Sequence, residues 1–213
     1  IKEGRLLVSD GAWGTFLQQK GLLPGECPEL WNVTHPDAVA EICRSYIEAG
    51  ADMIQTNSFG GSLFKLKYFG LEKRVAEINR AAAAISRQVA GPDRWVIASM
   101  GPTGQMLLMG EITENDMYEA FREQALALSD GGADAICIET MSAIDEAELA
   151  IRACREHTGC EVLATFTFEK NTRGEYRTMM GVSPAEAAQA AIAAGAHVVG
   201  TNCGNGMARM VEI

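Results

Sequence analysis

Three times along the chain a helical pattern ends in glycine, alanine and a polar residue, and an apolar run begins at once. The segments are EAGAD at residues 48–52, DGGAD at 130–134 and AAGAH at 193–197. Glycine at the end of a helix admits the left-handed backbone that a sharp stop needs. A strand starting directly after it marks a repeated helix–strand unit, which few folds use.

The remaining pattern fits that unit. Residues 5–9 (RLLVS) read as a first strand leading into a glycine-rich loop. Val39, Ile42, Cys43, Tyr46 and Ile47 recur at helical spacing over 36–49, with Thr34 as a start signal and Gly50 as the stop. Strands follow at 51–56, 95–100, 133–139, 162–168 and 197–201. Helices are expected at 71–89, 113–129, 144–157 and 184–194. Thr113 with Asp116 forms a capping box, while Ser183 caps a helix that carries Pro184 at its first position. These are six β-then-α periods, the last cut short after Met207.

Nearly continuous apolar strands separated by helices imply a parallel sheet buried on both faces. The fold class is therefore α/β, and a (β/α)8 TIM-type barrel of which about six βα units are present is the expected architecture. A doubly wound open sheet is the alternative. The barrel is preferred because glycines and polar residues stand at the end of nearly every strand, where barrels build their sites. Residues 1–213 read as one barrel domain lacking its C-terminal βα units, and a start at Ile1 implies that the natural beginning lies upstream. A six-unit chain on its own would expose strand edges and self-associate, so an oligomer is possible.

Composition narrows the function. A net charge of −10 opposes a nucleic-acid groove, which needs a basic face. No apolar run approaches the ~20 residues of a membrane span, and no secretory signal is visible. Of the cysteines at 27, 43, 137, 154, 160 and 203, several fall inside strand or helix patterns. A disulfide framework is thus not expected, and a reducing cytoplasm fits.

The strand ends carry the chemistry. Residues 10–15 (DGAWGT) suit either a tight turn or a site loop. Residues 55–60 (QTNSFG) put four consecutive polar groups at a strand mouth, where loop backbone or a polar ligand can satisfy them. Residues 99–104 (SMGPTG) allow close approach to the backbone. Glu139, in IET at 138–140, is costly to bury unless it meets donors or a cation. A structural ion pair would serve. So would a substrate ammonium group, shared with Asp10 from the first loop. Cys203, in GTNCG at 200–204, is the best candidate ligand or nucleophile, although most lone cysteines are small core residues. No HExxH or CxxC spacing occurs.

Taken together, DGAWGT, QTNSFG, GPTG, IET and GTNCG resemble, in order and across nearly the whole chain, the homocysteine S-methyltransferase family. They are most similar to the homocysteine-binding barrel of its cobalamin-dependent methionine synthase branch. The resemblance implies a zinc-dependent enzyme that moves a methyl group from a corrinoid or other donor to the thiol of homocysteine, forming methionine. It implies Cys203 as a zinc ligand and catalytic residue, and Asp10 and Glu139 as holders of the substrate amine. Thr15, Thr56, Asn57 and Asn202 are further pocket candidates. The family's other two ligands, an adjacent Cys pair, do not occur in residues 1–213. Methylcobalamin on a separate protein or domain is the implied donor, with a corrinoid protein as partner. Alternatives are a same-family enzyme acting on another thiol or amine, or a non-catalytic truncated barrel that binds a corrinoid protein.

Overall fold

The computed structural model describes residues 4–213. Short helices α1 (Gly14–Gln19) and α2 (Trp31–Thr34) precede α3 (Pro36–Glu48) and strand β1 (Met53–Gln55). Then come α4 (Leu63–Lys67), α5 (Val75–Ala90), β2 (Trp95–Met100), α6 (Glu114–Asp130), β3 (Ala135–Met141), α7 (Ile144–His157) and β4 (Glu161–Phe166). A hairpin of β5 (Glu169–Lys170) and β6 (Tyr176–Arg177) leads to α8 (Pro184–Ala194), β7 (Val198–Thr201) and α9 (Met207–Met210).

The main sheet is wholly parallel in the order β1-β2-β3-β4-β7. Helices α5 to α8 cover its outer face around Phe121, Met100, Ile136, Ile138 and Phe166, all fully or almost fully buried. Its inner face carries Ile97, Ala135 and Cys137, with Met53 and Leu163 against them. Two apolar faces on one parallel sheet are what the near-continuous apolar strands require. The arc runs in sequence order, as in a barrel wall, and among the described residues it does not close. No helix of the described residues is long and apolar enough to cross a membrane.

Two expectations change. Residues 5–9 are not a strand: only Ser9 bridges to Met53, and Leu6 and Val8 are exposed. The segment pairs on one side and buries too little apolar surface to extend the ladder. The loop after it also turns helical at once, as α1. The hairpin β5–β6 was not expected, because each strand has two residues and no room for a hydrophobic period.

The three glycine repeats close in one geometry. Gly50, Gly132 and Gly195 are all left-handed, with φ of 103°, 100° and 107°. The following alanine N–H reaches back to the carbonyl of Tyr46, Leu128 or Ala191, at 3.0, 3.2 and 2.9 Å. The polar residue at the end of each repeat then brackets the neighbouring segment. Asp52 Oδ2 accepts from Val8 N, Asp134 Oδ2 from Val96 N, and His197 Nδ1 from Val162 N. The N–H of each donates in turn to the carbonyl of that same valine.

Candidate active site

All the parallel strands deliver their C-terminal ends to one side of the sheet. Asp10 stands there after the Ser9 bridge. Its carboxylate accepts from Gln55 N at 2.8 Å, Trp13 Nε1 at 3.0 Å and Ser9 Oγ at 3.1 Å. Glu139, near the end of β3, accepts from Ser99 Oγ and from Gln55 Nε2 at 3.4 Å. Gln55 therefore joins both acids, one through its backbone and the other through its side chain. Burial raises both carboxyl pKa values, and the charge of Asp10 pushes Glu139 further in the same direction. Neither acid pairs with a lysine, arginine or histidine among the described residues. Two half-buried carboxylates thus meet here without a cation among the described residues, an arrangement whose charge is costly to bury unpaired.

Beside Glu139 lies a second constellation. Thr140 and Cys203 are the described non-glycine residues with positive φ, 63° and 57°. Their side chains meet at 3.6 Å, Oγ1 to Sγ. Asn202 lies between them. Its Oδ1 accepts from Thr140 N at 3.0 Å and Thr165 Oγ1 at 2.9 Å, and its Nδ2 donates to Thr140 Oγ1 at 2.8 Å and Cys203 Sγ at 3.3 Å. Cys203 is exposed, whereas Cys27, Cys43, Cys137, Cys154 and Cys160 are buried. Burial pushes the Cys27 and Cys137 thiols up to about 12 and Cys43 to about 11, so these stay protonated and inert.

The other sequence candidates lie elsewhere. Thr15 is exposed on α1. Thr56 is buried and spends its hydroxyl on Ser58 Oγ and on Ser99 N, stitching its loop to β2. Asn57 donates to Pro28 O at 2.7 Å and Asn32 Oδ1 at 3.1 Å, anchoring the segment before α2. The site therefore gathers Asp10, Glu139, Asn202 and Cys203, while the polar groups of Thr56 and Asn57 hold the scaffold. Gln55, Ser99 and Thr140 were not singled out. Gln55 and Ser99 had a signal, as polar residues in otherwise apolar strands. Glu146 was also missed. It is buried and accepts from both N (2.7 Å) and Oγ1 (2.6 Å) of Thr103, fixing the GPTG loop.

Cys203 is a soft donor suited to zinc. The described residues hold no group of three or more His, Cys, Asp or Glu able to take a metal ion. They therefore fit a zinc ion only as a single ligand and do not make a complete site.

The structure is a parallel α/β arc with paired acids and an exposed thiol at its strand ends. The chain belongs to the homocysteine S-methyltransferase family, whose model matches residues 7–213. It is 34% identical to the methionine synthases of Mycobacterium tuberculosis and Mycobacterium leprae, over 98% of its own length and 18% of theirs. It thus spans under a fifth of the curated relatives it matches. The metallated form of the Escherichia coli homocysteine methyltransferase MmuM superposes with a TM-score of 0.77 at 20% identity, over 95% of this chain and 76% of that one. That likeness establishes the barrel-type fold.

Proposed function

We propose that this chain is the homocysteine-binding part of an S-methyltransferase that moves a methyl group to the homocysteine thiol, forming methionine. The observation that carries this reading is the Asp10–Gln55–Glu139 unit, two acids raised by burial and facing no cation among the described residues. An α-ammonium group placed between them supplies the missing charge and would pull both carboxyls back to their ionised form. The exposed Cys203 lies just beyond, in contact with the residue after Glu139. An amino acid with a thiol two carbons from its α-carbon matches that order of groups. Membership of the family and the methionine synthase relatives support the same substrate.

Zinc belongs to this reading with Cys203 as one ligand and the others supplied from outside residues 1–213. Bound zinc would hold the substrate sulfur as thiolate at neutral pH. This chain's own residues bind and orient the amino acid: Asp10 and Glu139 fix its ammonium end, and Ser99 and Gln55 hold Glu139 in place. The methyl donor in this reading is a corrinoid, methylcobalamin carried on a separate protein or domain, and the reaction is cytoplasmic.

Calorimetry on the full-length protein tests the central claim, comparing homocysteine with 4-mercaptobutyrate, which is homocysteine without its amine. The des-amino compound is expected to bind at least about tenfold more weakly, from loss of a charged contact. Equal affinity would remove the basis of the proposal and turn attention to another thiol or amine substrate.

A further inference from the structure

We infer that Asn202 is a positioning residue that locks the ammonium-binding and thiol-handling ends of the site into one rigid piece. This rests on the homocysteine reading and assigns Asn202 a different job from lining the pocket. A side-chain amide has two N–H donors and two carbonyl lone pairs. In Asn202 all four are used inside the protein. Thr140 N and Thr165 Oγ1 take the carbonyl, and Thr140 Oγ1 and Cys203 Sγ take the two N–H groups. Nothing remains on the amide to bind a substrate.

What it grips is informative. Thr140 is β-branched and left-handed, a conformation that is strained unless its surroundings impose it. Two of the four bonds go to Thr140, one to its backbone and one to its side chain, and they impose it. Thr140 follows Glu139 directly, so its backbone sets the direction in which β3 presents that carboxylate. The fourth bond fixes the Cys203 sulfur, again on a left-handed residue. The Asn202 main chain is held as well: its N–H donates to Phe166 O at 3.2 Å, and its carbonyl accepts from Thr167 Oγ1 at 3.0 Å. One amide thus couples the ends of β3, β4 and β7. A simple cap on one loop would need one or two bonds and no contact to sulfur.

The test compares Asn202→Ala and Asn202→Asp in the full-length protein by amide hydrogen exchange at Thr140 and by steady-state methyl transfer to homocysteine. Alanine removes all four bonds. Aspartate keeps the acceptor for Thr140 N but has no donor for the sulfur. Thr140 exchange is expected to rise about tenfold in Asn202→Ala, the worth of one net hydrogen bond, and to stay near wild type in Asn202→Asp. The kcat is expected to fall by about 10- to 100-fold in both variants. The homocysteine KM should rise only in Asn202→Ala, where Glu139 also loses its orientation. Unchanged exchange at Thr140 in Asn202→Ala overturns the clasp. So does a kcat in either variant equal to wild type. If the wild-type protein itself fails to methylate homocysteine, the functional reading fails instead, and the exchange arm still decides whether Asn202 holds Thr140.

Discussion

Gln55 reaches Asp10 with its backbone N–H and Glu139 with its side chain, so one residue links the two acids. The acids share one electrostatic problem, since burial raises both pKa values. In the proposed reading, the ammonium group of homocysteine needs them ionised. Affinity should therefore drop on acidification from a pH above the ordinary carboxylate range of about 3.9–4.3, and binding near that edge should release protons. Calorimetry in buffers of different ionisation enthalpy reads both effects; proton uptake on binding would contradict the assignment. Glu139→Gln should raise the homocysteine KM by roughly 10- to 100-fold with a smaller change in kcat, since it removes a charge contact made in the ground state. The same variant should behave oppositely in stability. A carboxyl whose folded-state pKa is raised stabilises the fold fully below its unfolded pKa, and that stability is lost as pH rises through the folded value. Glutamine has no charge to lose, so its stability relative to wild type should improve from acidic to neutral pH in urea titrations. A constant difference across pH would mean that Glu139 is not titrating in the fold.

At the scale of elements, the repeats were legible and their full meaning was not. The glycine stops and the strands after them are read directly from EAGAD, DGGAD and AAGAH. The brackets made by Asp52, Asp134 and His197 to Val8, Val96 and Val162 depend on which strands become neighbours, and no local pattern states that. Helices α7 and α8 match their sequence boundaries, α8 because the Ser183 capping box and the Gly195 stop mark both its ends, α7 on its apolar period alone. Residues 5–9 failed because an apolar pentapeptide looks alike with or without a partner on its outer side. Asp134 also holds Arg87, whose guanidinium donates to the carbonyls of Gly132, Gly91 and Arg94. Asp134→Ala should cost about 1–3 kcal/mol in denaturant unfolding, through an orphaned Val96 N–H and a loosened Arg87. Asp52→Ala should cost less, because its partners Arg5 and Val8 are exposed where Arg87 and Val96 are half-buried and buried; equal losses would argue against a graded role for the partners' burial. A glycine in the QTNSFGG loop offers a separate test. A Cβ on Gly61 would lie 2.2 Å from Asn79 Oδ1 and 2.9 Å from Gln124 Nε2, both side chains fully buried. Neither amide can retreat without breaking its bonds to Gly61 O and Ser58 O. Gly61→Ala is therefore expected to lose about 1–3 kcal/mol, and a neutral result would show that the loop can slide.

Across the whole molecule, stability and chemistry are separable. The large core lies between the sheet and helices α5 to α8, and five cysteines are spread through that core and its satellites, buried and free. Cys203 stands outside every one of these clusters, exposed at the strand ends. Its motif was visible in the sequence because glycine, asparagine and cysteine stand together after an apolar strand; its dependence on Thr140, 63 positions away in the chain, was not. If zinc is held through Cys203 with ligands from outside residues 1–213, metal and core should respond independently. Cys203→Ser keeps the size of the side chain and removes the soft donor. It should lower zinc content from about one per chain toward zero and abolish methylation of homocysteine. The thermal midpoint of this domain should stay within a few degrees of wild type, because no core contact is lost. Chelation of the wild-type protein should reproduce the loss of activity, and added zinc should restore wild type but not the variant. Full turnover by Cys203→Ser would place the thiol outside the reaction. A collapse of the thermal midpoint would instead make Cys203 part of the fold, and the separation of core from chemistry would fail.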